Sequence, residues 1–370
     1  MPRRNHLWTT NKSGVRWGEV RVSKLLRCGA QTPSDRHRGH VTSPRDTPIL
    51  SPRRWRVGAA PHSGGVYSHA RHSHALLTFA ALFITLLPAH AEKNLRRPPG
   101  TTRYRAMVQK LDGLLRYDQA HDKRLALTSL GTSVRGRTLW MVTLSAGGKK
   151  CLFYLCRQHG HEPASTEGAL AFISELVKAD ASTPLADALK TVTVFVVPMA
   201  NPDGAEAFLR HNAQDVDLNR DWIKRSQPET RALYAEISRL HPDLMSDQHE
   251  LYPDDTRPDF TEAVGPGSGA APGVIDSGQA AQKAVADIME AAGFAVVSHE
   301  ITDTHPARLA HRFFSIKLGI PTLLFETNRL SGSGRTVARR AAAQEAFMAA
   351  LLTYAAADNS PPLPSEKGSE

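Results

Sequence analysis

Two rhythms of apolar and polar residues run along this chain. Between Thr101 and Tyr117 the residues Tyr104, Met107, Leu111 and Leu115 recur at three- and four-residue steps, which predicts a helix. TLWMVTLS (Thr138–Ser145) and CLFYLC (Cys151–Cys156) are short apolar runs and predict strands. Ser165-Thr166-Glu167, leading into GALAFISELV, carries a capping-box pattern and predicts a helix start. TVTVFVVP (Thr191–Pro198) is rich in β-branched residues and predicts a strand ended by Pro198. PETRALYAEISRL predicts a helix and PDLMSDQH a strand. DSGQAAQKAVADIMEAAG predicts a helix closed by Gly293, and ARLAHRFFSIKLG another closed by Gly319. IPTLLFET predicts a buried strand and Val337–Ala357 a last helix. Strands separated by helices predict an α/β fold with a largely parallel, helix-covered sheet. There is no internal repeat. The Gly/Pro-rich VGPGSGAAPG (Val264–Gly273) reads as a long surface loop over a site, and residues 361–370 as a disordered tail.

Charge changes the picture only at one end. The chain has 370 residues and a formal net charge of +10, which would suit a nucleic-acid or membrane partner. Residues 1–74, however, hold fourteen Lys/Arg against three Asp/Glu, a net of +11, and residues 75–91 hold none of either. The remainder therefore nets −1 against the total of +10, and the body carries no nucleic-acid footprint. ALLTFAALFITLLPAHA (Ala75–Ala91) follows Arg71 and ends in Ala89-His90-Ala91, a small-x-small pattern. This is the build of a secretory signal peptide over 66–91, cleaved after Ala91. Its strongly apolar part, Ala75–Leu87, is short of the ~20 residues that span a bilayer, so membrane attachment is expected only if the segment stays uncleaved. Residues 1–65 read as a disordered leader or a start site set too early, with Val66 as the true start. The expected location is periplasmic or secreted, in a bacterial cell. Cys151 and Cys156 lie five apart on one strand, hence on opposite faces, and are expected as buried free thiols; Cys28 falls in the leader.

Chemistry gathers where the predicted strands end, the usual place for ligands in such sheets. His159 and Glu162 follow CLFYLC in H-x-x-E spacing, close enough to point one way in a tight turn. Imidazole and carboxylate together suit Zn²⁺, and His249 at the end of DLMSDQHE offers a third ligand. The loop from Asn201 to Trp222 concentrates Arg210, Asn219 and Arg220, and Arg suits a carboxylate or a developing oxyanion. Glu326 stands in the otherwise apolar IPTLLFET; a carboxylate there is costly unless paired or at work.

With these residues in place the chain resembles the M14 family of zinc carboxypeptidases. LGTSVRGRTLW (Leu130–Trp140), HGHE (His159–Glu162), NPDG (Asn201–Gly204), RHNAQDVDLNRD (Arg210–Asp221), DQHE (Asp247–Glu250) and GIPTLLFET (Gly319–Thr327) appear in the family's order. The resemblance implies a single catalytic domain over 92–360 with a mixed, mostly parallel β-sheet flanked by helices. It implies one Zn²⁺ per chain, held by His159, Glu162 and His249. It implies Glu326 as the base for zinc-activated water, Arg210 as oxyanion stabiliser, and Asn219 with Arg220 as the grip on a substrate's C-terminal carboxylate. The implied activity is a hydrolase, a metallo-exopeptidase removing C-terminal residues from peptides with a free carboxylate, murein peptides among the candidates.

Two other readings stay open: a zinc N-deacylase or amidase of a small acylated amino acid, and an inactive binding module on the same fold. The intact VDLNRD favours a peptidase over the second, and retention of Glu326 with all three ligands opposes the third. The family's mobile Tyr has no counterpart in Glu300–His311, where His305 stands in or the role is missing. Bland roles are expected elsewhere: Glu167 in the capping box, Asp203 and Gly204 in a turn, Asp217 and Asp221 orienting neighbours, and Arg135 and Arg137 in a hairpin turn around Gly136. His161 is expected to line a subsite at most, and Glu250 is either a partner to the ligands or a solvated charge.

Overall fold

The computed structural model describes residues 95–180, 182–303 and 308–357. The leader, the signal segment, Cys28, His305 and the tail lie outside these residues. The described strands are β1 (Leu125–Thr132), β2 (Thr138–Leu144), β3 (Lys150–Cys156), β4 (Val192–Val197), β5 (Leu244–Glu250), β6 (Phe260–Val264), β7 (Val297–Ile301) and β8 (Thr322–Thr327). The described helices are α1 (Tyr104–Gln119), α2 (Ala164–Lys178), α3 (Pro184–Asp187), α4 (Pro202–Ala207), α5 (Pro228–Leu240), α6 (Pro272–Ala291), α7 (Ala310–Lys317) and α8 (Val337–Ala356).

The strands form one sheet in the order β1-β2-β4-β3-β5-β8-β6-β7. The pairs β4–β3, β3–β5, β5–β8 and β6–β7 are parallel; β1–β2, β2–β4 and β8–β6 are antiparallel. The sheet is thus mixed and mostly parallel, as the sequence led us to expect. Its central strands are buried on both faces, which explains their continuous apolar runs. Along β3, Leu152, Tyr154 and Cys156 pack in one core with α1, α2, α6 and α8, while Cys151, Phe153 and Leu155 pack in the other with α5 and α7. Each fully buried Phe or Leu contributes about 1.5–3 kcal/mol. No helix among the described residues is long and apolar enough to cross a membrane.

Several expectations need correction. The capping box at Ser165–Glu167 does not form: α2 starts at Ala164 behind Pro163, with no side-chain cap. Glu167 instead accepts from the Thr102 amide at 2.6 Å and its hydroxyl at 2.8 Å, fixing the approach to α1. Strands β1, β6 and β7 were not anticipated. The 264–273 segment is partly regular, because Val264 ends β6 and Pro272 opens α6. The free-thiol expectation holds for buried Cys156. Cys151, also buried, is disulfide-bonded and so departs from that expectation.

Candidate metal centre

The four adjacent parallel strands β4, β3, β5 and β8 end on one edge of the sheet, and the expected residues meet there. Just past β3 the chain makes a tight turn at Arg157, whose φ of 57° is left-handed. The Arg157 guanidinium is fully buried and donates from Nε to the Gly160 carbonyl at 3.1 Å and from Nη1 to the Thr102 carbonyl at 3.0 Å. Gly160 is required by close approach: a Cβ there would sit 1.9 Å from the Gly204 carbonyl carbon. NPDG is thus both a helix start and a wall for the HGHE turn. Asn201 caps α4, accepting from the Gly204 amide at 2.8 Å, and its Nδ2 donates to the Gln158 carbonyl at 3.0 Å. Asp203 anchors the β1–β2 turn by accepting from Ser133 Oγ and the Arg135 amide, each at 2.9 Å.

This turn delivers His159 and Glu162 to His249. Nδ1 of His159 lies 2.8 Å from Glu162 Oε1, Nδ1 of His249 lies 2.9 Å from Glu162 Oε2, and the two ring nitrogens are 3.0 Å apart. The three side chains are buried, and they offer donor atoms that all lie within 4.8 Å of one another. Two imidazoles and a carboxylate from two strand ends form a donor set that a divalent cation such as zinc takes. Burial opposes the charge on Glu162, but the His159 and His249 rings outweigh it and hold the carboxyl well below its usual range. His249 is raised well above the ordinary histidine value: burial pulls it down, and Asp247 and Glu162 more than offset that.

The outward nitrogens of both rings are held too. His159 Nε2 lies 3.1 Å from Asp217 Oδ1, and Asp217 Oδ2 accepts from Arg210 Nε at 3.0 Å. Asp217 therefore orients neighbours, as expected. His249 Nε2 lies 2.9 Å from Asp247 Oδ1 and 3.0 Å from Asn219 Nδ2. Such outer partners fix ring orientation in metal sites. Arg210 also approaches Glu162 Oε1 at 3.9 Å and lies over the Tyr252 ring, 5.5 Å from its centroid. Glu326 is the register partner of His249 across β5–β8, so the two side chains share a face. Its Oε2 is buried without a hydrogen bond among the described residues, and burial pushes the carboxyl up to about 8 despite the opposing pull of His249.

The two residues expected to bind substrate, Asn219 and Arg220, differ in exposure. Arg220 is exposed, with Nη1 donating to the Asn219 carbonyl at 3.1 Å. Asn219 is buried, its Oδ1 accepting from the Ala310 amide at 2.7 Å. His161, though inside the motif, is not part of the triad. Burial drives its ring down to about 3, and its carbonyl accepts from Arg329 Nη1 at 2.6 Å. Glu250 is a structural partner rather than a solvated charge, accepting from the Ala164 amide and from Arg340 Nε. Sequence reasoning missed roles for Gln158 and for Asp247, His311 and Glu262. The placement of Asp247 two residues before His249, hence on the same face of β5, is the signal that could have found it.

Residues 113–251 match the family model described as zinc carboxypeptidase, a span that includes His159, Glu162, Arg210, Asn219, Arg220 and His249 and ends before Glu326. A probable carboxypeptidase 2 of Trichophyton verrucosum is 36% identical over 93 residues, 25% of this chain and 18% of that protein. A zinc carboxypeptidase of Saccharothrix mutabilis is 26% identical over 148 residues, 38% of this chain and 33% of that one. The chain thus matches about a third or less of the length of these relatives. A metallo-carboxypeptidase from Burkholderia cenocepacia shares the fold with a TM-score of 0.57 at 24% identity, over 67% of this chain and 68% of that one. A metallo-carboxypeptidase from Pseudomonas aeruginosa does so with a TM-score of 0.54 at 22% identity, over 65% and 67%.

Proposed function

We propose that this chain, whose residues 113–251 match the zinc carboxypeptidase family model, is a zinc carboxypeptidase that removes the C-terminal residue of peptides. The observation that carries this reading is the convergence of His159, Glu162 and His249 beside Arg210 and Glu326 at one sheet edge. Zinc, held by those three side chains, would polarise the scissile carbonyl and ease deprotonation of the attacking water. Glu326 takes the water's proton and returns it to the leaving amine. Its Oε2, without a hydrogen bond among the described residues, and its raised proton affinity suit a group that must both accept and donate. Arg210 sits beside the ligand shell, held there by Asp217, and meets the negative charge that develops on the carbonyl oxygen. Arg220, exposed beside the centre, grips the substrate's terminal carboxylate in a charge-assisted pair. Asn219, next to Arg220 in the chain, joins that grip on the carboxylate; its Nδ2 lies 3.0 Å from His249 Nε2.

The leader read from the sequence would export the chain, and cell-wall peptides are then the substrates it meets. The test is a panel of free-ended peptides, their C-terminal amides, murein tripeptides and N-acyl amino acids. Release of free amino acids from free-ended members, abolished by a chelator and restored by zinc, is expected. Turnover of N-acyl amino acids alone, or of nothing, would overturn the reading.

A further inference from the structure

A string of buried charge runs from the back of the metal centre through three elements of the fold. It starts at Nε2 of His249 on β5 and passes to Asp247 Oδ1 at 2.9 Å. That oxygen is met again by Gln158 Nε2 at 2.6 Å. The other oxygen, Oδ2, is buried and makes no hydrogen bond among the described residues. Facing it is Nδ1 of His311, from the first turn of α7, at 3.7 Å: the reach of an ion pair rather than of a hydrogen bond. On its far side His311 Nε2 lies 3.2 Å from Glu262 Oε2 on β6, again an ion-pair contact, and neither ring nitrogen makes a hydrogen bond among the described residues. His311 is fully buried, whereas the Glu262 side chain is 24% exposed. Burial disfavours a charged His311 ring, but the two carboxylates outweigh it and raise its proton affinity above the ordinary value. The same helix start is tied to His249 by a second route, since the Ala310 amide donates to Asn219, whose Nδ2 lies against His249 Nε2.

A buried carboxylate with one oxygen lacking a hydrogen bond is costly in an interior, and without His311 facing that oxygen the side chain is free to tilt. That tilt would release the outer nitrogen of His249. We propose that His311 is a positioning residue for the metal centre: set between Asp247 and Glu262, it holds Asp247 against His249 and couples the start of α7 to the metal-binding ring. The proposal rests on the metal-centre reading above but not on the identity of the substrate.

Zinc affinity of the purified full chain, measured by competition with a chromogenic chelator, is the test. His311→Leu and Asp247→Asn are each expected to weaken zinc by about 10–100-fold, the usual scale for losing an outer partner. The double variant should bind no more weakly than Asp247→Asn alone, because both act through one carboxylate. His311→Gln, which keeps a donor, should recover part of the loss. A merely structural histidine would lower the Tm of the metal-free chain and leave zinc affinity alone. Affinity within twofold of wild type in His311→Leu, or a double loss equal to the product of the single ones, would overturn the proposal. Should His311→Leu not fold, Glu262→Gln removes the outer anchor instead; a severalfold loss is expected, and an unchanged affinity would overturn it. A wild-type chain that binds zinc but cleaves no peptide would sink the peptidase reading and leave this one standing.

Discussion

His249 and Glu250 are neighbours on β5, point to opposite faces of the sheet, and enter two buried charge clusters of different construction. On the Glu250 side both carboxylate oxygens are met inside the protein, by the Ala164 amide at the start of α2 and by Arg340 Nε of α8. Arg340 in turn donates to the Arg335 carbonyl. On the His249 side, Asp247 Oδ2, Glu326 Oε2 and His161 Nδ1 are all buried without a hydrogen bond among the described residues. A buried polar group that finds its partners within the chain holds the fold; a convergent set that leaves lone pairs over is suited to a ligand. The contrast separates structure from function across a single peptide bond.

Substitutions on the two sides should therefore differ in kind as well as in size. Glu326→Gln is expected to lower peptide turnover by about 10²–10⁴-fold, the scale of a lost general base, with zinc content and Tm close to wild type. A rate near wild type would remove Glu326 from the mechanism. On the other side, Arg340→Leu leaves Glu250 uncompensated and should cost about 3–5 kcal/mol in urea unfolding, while the folded fraction still binds zinc. Loss of zinc ahead of stability would show that the clusters are not separate.

Arg220→Ala sharpens the division within the site itself. The exposed guanidinium is not needed for the fold, so stability should hold while KM for free-ended peptides rises roughly tenfold to a hundredfold, the worth of a charged hydrogen bond. Amidated peptides should be unaffected, and equal effects on both would discard the carboxylate grip. The smallest effect concerns Asp221, a scaffold carboxylate next to Arg220. Burial pushes it up, but bonds from Thr230 and Ser226 outweigh that and leave it below the ordinary carboxylate value. A depressed carboxylate stabilises the fold above its unfolded value and loses that contribution as pH falls through the folded one. Asp221→Asn should thus cost about 1–2 kcal/mol at neutral pH and make unfolding less steep in acid below about pH 4. Identical acid profiles for variant and wild type would contradict this.

Much of the fold was legible because burial imposes a period. α5 runs from Pro228 to Leu240, the stretch its pattern predicts, and β3, β4, β5 and β8 follow from apolar runs that only a strand covered on both faces needs. β7 was illegible because four of its five residues are exposed, and β1 because it is half-covered and carries a register shift between Ser129 and Gly131. In the site, residues at strand exits could be read, since topology alone brings them to one edge. The string from Asp247 to Glu262 could not, because its meaning lies in how α7 crosses β5 and β6 rather than in any local spacing. The misread cap at Glu167 has the same origin: a local pattern lost to a tertiary partner, Thr102.

The central claim is that His159, Glu162 and His249 hold one cation together. The direct test is elemental analysis of the purified chain, alone and as His249→Ala. The account predicts one zinc per chain in the first and little or none in the second; no stoichiometric metal in the first, or undiminished metal in the second, would contradict it.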